Sequence, residues 1–213
     1  MRAFRFPALI LSLCLAVSAC QSPAVQDQPS PEFSPARLYP VTSSGFAEAY
    51  IARDAGLASY HSLDAAPLDV SQVDIPQTQV MGTSRGDWLM TPERQQSLQQ
   101  SWAAAMDAAF SGYTRAENGP GVLRVTASLT RLAPGRPTAA TVGGELLPAA
   151  ASRDVVAVSM EFRLYRRADG RLLAVIRDTR TMTAAAMSRT SPIGFELLFR
   201  SWAALLHTRI SGR

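Results

Sequence analysis

The sequence predicts a two-layer α+β domain, in which a largely antiparallel sheet of about four strands carries two main helices packed on one face. Three observations predict this fold. Polar and apolar residues alternate in segments of strand length, two longer segments have apolar residues at helical spacing, and a turn sequence joins two of the strands. Because the sheet and both helices each have one apolar face, packing both helices on the same face of the sheet buries all three.

Both main helices begin with the same signal. Thr91-Pro92 and Ser191-Pro192 each place a hydroxyl side chain at the N-cap and a proline in the first turn, where its missing N–H costs nothing. The apolar spacing predicts that the first helix runs to about Tyr113 and the second to about Ile210. A shorter helix is predicted within residues 44–57.

Four segments have the alternation that is typical of strands: residues 73–80, 123–130, 156–164 and 172–180. The last two are joined by Ala168-Asp169-Gly170, which predicts a hairpin. A three-residue loop with Gly170 in the left-handed conformation pairs Glu161 with Arg177. A two-residue loop would set Glu161 opposite an aspartate, and like charges destabilise such a pair, so we expect the three-residue loop.

The N-terminus has the organisation of a secretory signal. Arg2 and Arg5 precede an apolar run over residues 8–17, which is too short to span a bilayer because a transmembrane helix needs about 20 apolar residues. The run ends in Val17-Ser18-Ala19-Cys20, which resembles the lipobox of bacterial lipoproteins. The resemblance implies cleavage before Cys20 and attachment of fatty-acyl chains such as palmitate, with a cleaved, soluble secreted protein as the alternative.

This organisation divides the chain into three parts. Residues 1–19 form the signal peptide, residues 20–40 the lipidated cysteine with a flexible proline-rich tether, and residues 41–213 a single globular α+β domain. A coil of roughly 18 residues reaches about 20–25 Å, which would hold the domain off the membrane. Gln21 follows the cysteine, where an aspartate would resemble an inner-membrane retention signal, so we expect an outer-membrane anchor with the domain facing the periplasm.

The composition narrows the classes of function. The 21 basic residues are all arginines, scattered rather than grouped with aromatic residues, so a nucleic-acid partner is not expected. Cys14 lies in the signal and Cys20 is lipidated, which leaves no free thiol for a disulfide, thiol catalysis or a cysteine–zinc site. The sequence has no P-loop and no dinucleotide glycine fingerprint, and no cofactor is expected.

Three stretches of the domain resemble one bacterial family. They are Ser44-Gly45-Phe46 with Tyr50, then Gly119-Pro120-Gly121-Val122-Leu123-Arg124-Val125 leading into Leu129-Thr130, and the hairpin over residues 156–178. With the lipobox, they make the chain similar to the bacterial lipoproteins of the domain of unknown function 3313 family. This resemblance implies an envelope lipoprotein with no established activity, and it carries over no functional residue other than Cys20.

One segment has the formal pattern of a hydrolase. Gly82-Thr83-Ser84-Arg85-Gly86 fits G-x-S-x-G, and Ser84 would precede an aspartate and His207 in the order of α/β-hydrolases. Against this, the helix that should start at the serine starts at Thr91-Pro92, the sheet has too few strands, and His207 is predicted on the outer side of the last helix. We expect a plain glycine loop and no catalytic residue, with a small serine hydrolase as an alternative.

Metal binding is not expected either. His61 and His207 are the only histidines, and neither has ligand neighbours at useful spacing, whereas a zinc site needs three or four protein ligands. The carboxylates of Glu161, Asp169 and Asp178 are interpreted as solvated charges of the hairpin.

The polar face of the sheet, turned away from the helices, is interpreted first as an ordinary solvated face, with a docking surface for an envelope protein as the alternative. The side chains predicted to project from it are Arg124, Arg163, Tyr165 and Arg177. These features predict a non-enzymatic binding or accessory lipoprotein. A second hypothesis is an accessory lipoprotein of a lipid or efflux transporter, which would bind an apolar ligand in a groove between sheet and helices.

Overall fold

The computed structural model describes residues 22–76, 89–135, 155–183 and 193–212. Within these ranges, eight strands form a single mixed sheet that carries two α-helices. The strands are β1 (Ala24–Val25), β2 (Leu38–Thr42), β3 (Glu48–Ala52), β4 (Ser62–Ala65), β5 (Thr114–Arg115), β6 (Val122–Gly135), β7 (Val155–Arg166) and β8 (Leu172–Thr183). The helices are α1 (Pro92–Ala109) and α2 (Ile193–Ser211), and two short 3₁₀ helices span Pro31–Ala36 and Leu57–Ser59.

The strand order across the sheet is β1-β2-β3-β8-β7-β6-β4-β5. The long strands β6, β7 and β8 form an antiparallel centre, while β4 runs parallel to both β5 and β6. The prediction of a sheet of about four strands is therefore wrong, although the α+β class is correct. The additional strands are only two to five residues long, and strands this short show too little alternation to be recognised.

The N-terminal segment is part of the sheet. Ala24 lies opposite Thr42 and Pro40 lies opposite Tyr50, so that β1, β2 and β3 form one antiparallel edge. The sequence predicts a flexible tether over residues 20–40. In the described part of that segment, Ala24–Val25 and the start of β2 are instead paired into the sheet, and Pro31–Ala36 forms a 3₁₀ helix between them.

β3 takes the place of the short helix predicted within residues 44–57. Glu48 and Ile51 lie opposite Arg177 and Ala174 of β8, so a neighbouring strand supplies the hydrogen-bond partners of this segment. The apolar spacing around Tyr50 fits a helix by periodicity alone. Pairing with a strand more than a hundred residues away in the sequence decides against the helix.

The strand predicted over residues 73–80 is absent from the described part of that segment, where Asp74 forms only an isolated bridge with β6. The rest of the predicted strand lies outside the described residues. Residues 66–74 run along the edge of β6, and the N–H of Asp69 donates to the carbonyl of Ala127 at 2.9 Å. This segment covers the edge of β6 beyond the end of β4.

The pairing predicted for the hairpin is confirmed, since Glu161 lies opposite Arg177. The turn itself differs from the prediction. The N–H of Arg166 donates to the carbonyl of Arg171 at 2.9 Å, so four residues form the loop, with Gly170 at a φ of 70°. A shift in register next to the turn absorbs the extra residue and restores the predicted pairing further along the strands.

The predicted N-cap of α1 is confirmed. The hydroxyl of Thr91 accepts a hydrogen bond from the N–H of Arg94 at 3.3 Å. The helix ends at Ala109, before the predicted end at Tyr113, because Phe110 leaves the helical conformation with φ −108° and ψ 29°.

α2 ends at Ser211, one residue past its predicted end, while the cap predicted at Ser191-Pro192 lies outside the described residues. Neither α-helix is apolar over enough of its length to cross a membrane, as judged over the described ranges. The apolar side chains on the buried side of α2 are Phe195, Leu198, Phe199, Trp202, Leu206 and Ile210.

The two helices run in the same direction along one face of the sheet. Trp102 of α1 contacts Phe199 of α2, with ring centroids 5.7 Å apart. Further along both helices, Phe110 contacts His207 at 5.2 Å. Both helices therefore begin at the same end of the domain. We call the face that carries them the inner face, and the opposite face the outer face.

The centre of the inner face is Phe162 of β7, which is fully buried. Its ring stacks on Trp102 of α1 at 5.7 Å, and it lies 6.2 Å from Trp202 of α2. Phe46, in the loop between β2 and β3, approaches the same ring at 6.2 Å. One side chain thus joins the sheet, both helices and the N-terminal edge.

A buried carboxylate, Asp178 of β8, links the same layers. It is 7% exposed, and it accepts hydrogen bonds from Nε1 of Trp202 at 2.7 Å, the N–H of Ala47 at 3.0 Å and Nε of Arg180 at 2.8 Å. The prediction of a solvated charge at Asp178 is wrong, because the residue lies on the inner face against α2. The three donors offset the cost of burying the charge.

We expect Phe162→Ala to lower the free energy of unfolding by about 3–5 kcal/mol, because it removes a buried ring and leaves a cavity between the helices and the sheet. Urea unfolding followed by circular dichroism measures this loss. Phe33→Ala, which truncates a half-buried ring of the same size, is the matched control and should cost clearly less. Equal losses in the two variants would contradict a core centred on Phe162.

Candidate binding surfaces

The four residues predicted to bind a partner lie on the outer face. Arg124 of β6 lies directly opposite Tyr165 of β7, and Arg163 lies two residues before Tyr165 on the same strand. Arg177 lies on β8, opposite Glu161. Their availability to a partner depends on the contacts that they already make within the chain.

Arg177 is bound by three carboxylates of its own chain. Its Nε donates to Glu161 at 2.8 Å, and its terminal nitrogens donate to Glu32 at 2.5 Å and Glu48 at 3.4 Å. The hydrogen bond with Glu32 raises the pKa of Arg177. The guanidinium also lies 5.4 Å from the ring centre of Phe33. Arg177 thereby attaches the N-terminal segment to the outer face.

We call the 3₁₀ helix Pro31–Ala36 the strap, because it attaches to the outer face at β3 and β8. Phe33 of the strap packs against Tyr50 of β3, with ring centroids 4.9 Å apart. The hydrogen bond from Arg177 lowers the pKa of Glu32 below the ordinary value for a glutamate. The strap therefore occupies the part of the outer face on which Arg177 lies.

The other arginines of the outer face are also paired. Nε of Arg163 donates to Glu161 at 2.6 Å, and this hydrogen bond raises the pKa of Arg163. Arg124 donates to Asp64 at 3.1 Å, and Arg167 contacts the same carboxylate at 3.2 Å. Such exposed ion pairs are individually weak, but they compensate the charges that would attract a partner. The arginines of the outer face therefore already have carboxylate partners within the chain.

A groove opens between α1 and the edge strands β4 and β5, with a cavity volume of about 610 Å³. Small-molecule sites in proteins typically measure about 300–1,000 Å³. Small side chains, among them Ala65, Pro67 and Ala103, form its walls, and the buried side chains of Trp102 and Met106 lie beneath them. The sequence predicts a groove between sheet and helices only under the hypothesis of a transporter accessory protein, and no motif identifies its residues.

Charged residues lie around the rim of this groove. Asp107 of α1 and Arg115 of β5 form an ion pair at 2.5 Å, and Asp64 of β4 lies at the same rim. The side-chain amide of Gln99 donates to the carbonyl of Leu68 at 3.1 Å, which fixes the segment after β4 against α1. An apolar ligand in the groove would contact the walls and present a polar end to the rim.

The sequence predicts His207 on the outer side of α2, and this prediction is wrong. Its ring packs edge-on against Phe110 at 5.2 Å and Tyr113 at 5.9 Å, between the C-terminal ends of the helices. Ser84 and Cys20 lie outside the described residues, so the structure does not place them. Within the described ranges, no three histidine, cysteine or acidic side chains group together as a metal site would need.

No protein-family model and no curated protein matches the chain, so membership of the domain of unknown function 3313 family is not shown. Several solved structures are similar. PelC from Paraburkholderia phytofirmans, solved as a dodecamer, is 14% identical with a TM-score of 0.36, over 70% of this chain and 89% of its own. A minor lipoprotein from Acinetobacter baumannii is 11% identical with a TM-score of 0.35, over 72% of this chain and 94% of its own.

A protein of the DUF330 family from Xanthomonas campestris is also similar. It is 12% identical with a TM-score of 0.43, over 72% of this chain and 86% of its own. The proteins to which this chain is similar thus include a bacterial lipoprotein and a member of another domain of unknown function family. At these identities and TM-scores, the likeness carries no conclusion about the activity of this chain.

We expect Glu32→Gln to destabilise the protein at neutral pH and to have little effect in acid. Because the folded-state pKa of Glu32 is lowered, its bond to Arg177 stabilises the fold fully above the ordinary glutamate pKa of about 4.3, and this contribution is lost as the pH falls through the folded-state pKa. The urea midpoints of variant and wild type should differ at neutral pH and converge once the pH lies below the folded-state pKa of Glu32. A difference that persists undiminished in acid would contradict the role given to the ionised Glu32.

Proposed function

We propose that this chain is a lipid-anchored protein of the cell envelope that works by binding and not by catalysis. Cys20 would carry the lipid, the outer membrane would hold the anchor, and the domain would face the periplasm. The groove between α1 and β4–β5 would be its binding surface. The observation that carries the proposal is this apolar groove, because the arginines of the outer face are already paired within the chain.

The groove favours an apolar or amphiphilic ligand. Eight of its fourteen lining residues are apolar, most of them small, and apolar atoms contribute about two thirds of its exposed lining. Removing an apolar chain from water gains about 25 cal/mol per Å² of buried surface, whereas a strongly polar ligand would lose hydration against such walls. This supports, as the more specific candidate, an accessory lipoprotein of a lipid or efflux transporter, working with an envelope protein partner.

We expect Ala103→Phe to weaken the binding of the neutral apolar probe N-phenyl-1-naphthylamine several-fold, because the added ring fills the groove from its rim. A fluorescence titration measures the affinity. Ala104→Phe is the matched control: it makes the same change at the next exposed residue of α1, outside the groove lining. Equal affinities in the two variants, or the absence of saturable binding by the wild type, would contradict the groove as a binding surface.

We expect Cys20→Ala to abolish membrane attachment, since the lipidated thiol is lost and several acyl chains are what make such an anchor nearly irreversible. Metabolic labelling with palmitate and flotation of membranes separate lipidation from mere adsorption. The wild type should be labelled and should float, and the variant should do neither. A wild-type protein that is cleaved but unlabelled would instead indicate the soluble secreted protein.

A further inference from the structure

We propose that the domain contacts the membrane that holds its anchor by the end at which both helices begin, with Leu89 and Leu197 against the lipid surface. This inference rests on the lipid anchor proposed at Cys20, and it adds an orientation and a contact surface.

Covalent geometry keeps the sheet close to the anchor. Four peptide units separate Cys20 from Ala24, the first residue of β1, and an extended chain of that length spans at most about 14 Å. Ala24 is held in the sheet by its pairing with Thr42, and the hydroxyl of Thr42 donates to the Ala24 carbonyl at 3.2 Å. The connection between lipid and sheet is therefore shorter than a flexible coil over residues 20–40 would be, and the domain is held closer to the lipid.

β1 begins level with Arg177, near the middle of β8, and its N-terminal side points toward the end of the sheet at which β8 finishes. β1, β2, β3 and β8 are each antiparallel to the next, so β1 runs opposite to β8. The first half of α2 lies at the same end, because Ser201 and Trp202 contact Arg180 and Asp178 in the last part of β8. α1 runs parallel to α2, so the anchor and the start of both helices share one end of the domain.

Two large apolar side chains are exposed at this end. Leu89, just before α1, is 59% exposed, and Leu197, near the start of α2, is 62% exposed. Single exposed apolar residues are ordinary on protein surfaces. Here both lie at the anchored end, where burial at the boundary of headgroups and acyl chains is favourable.

Among the described parts of the surface, the end opposite the helix starts suits lipid less well. The opposite end carries the hairpin, with ion pairs between Arg166 and Asp169 and between Arg171 and Asp54, which contact with lipid would desolvate. Ala103 on the groove lies ten residues after Glu93 on α1, about 15 Å farther along the helix from the end that contacts the lipid.

The test uses the full lipidated protein in vesicles of phosphatidylethanolamine and phosphatidylglycerol. Because the thiol of Cys20 is blocked by lipid, a single added cysteine can carry a fluorophore. Labels are placed at Glu93→Cys in the first turn of α1, at Ala168→Cys in the hairpin and at Ala103→Cys on the groove, all exposed positions. A quencher attached to the lipids should quench the label at residue 93 several-fold more strongly than the other two.

If the label at residue 168 or 103 is quenched as strongly as the label at residue 93, or more strongly, the orientation is overturned. This outcome would not contradict the lipid anchor. Flotation of the same vesicles reports on the anchor separately, and a protein that does not float overturns both. Leu89→Ser combined with Leu197→Ser should reduce quenching at residue 93 without loss of flotation. Unchanged quenching in that variant would overturn the contact assigned to the two leucines.

Discussion

The packing of the helices and the N-terminal edge onto the sheet depends on the ring of Phe162. It lies between a tryptophan from each helix and a phenylalanine from the loop of the N-terminal edge, so that four parts of the chain meet at one side chain. A shift of β7 by one residue would turn Phe162 to the outer face and bring a charged neighbour inside. The pairing of Glu161 with Arg177 on the outer face opposes that shift. The two faces of the sheet thus specify the same register by different interactions.

The faces also differ in what they leave for binding. On the outer face, charged side chains pair with one another, and Arg177 bonds to three carboxylates. A partner that binds there would have to replace these existing bonds. On the inner face, the groove lies at the edge of the sheet, between α1 and the short strands β4 and β5. The groove arises at that edge because alanine and proline side chains do not fill the space between helix and strands.

The features predicted correctly from the sequence are local. The cap at Thr91, the pairing of Glu161 with Arg177 and the buried alternation of β6 and β7 each follow from neighbouring residues or from a single turn. The short strands could not be predicted in this way, because β3 is defined by β8 and β2 by β3. The groove combines three distant segments, and the burial of Asp178 depends on Trp202 and Ala47, which only the tertiary fold brings near it.

The pairing of β1 with β2 has a mechanical consequence. With the lipid anchor that we propose at Cys20, any force between the membrane and the domain would enter the fold through β1, whose contact with β2 consists of two residue pairs. That contact would open first, and the load would then fall on the segment that follows, held by bonds from Arg53 to the carbonyls of Gln26 and Asp27 and by the strap against Arg177. Opening both in turn lengthens the connection to the lipid while Phe162 and the helices remain packed. The anchored edge can therefore yield under tension before the core does.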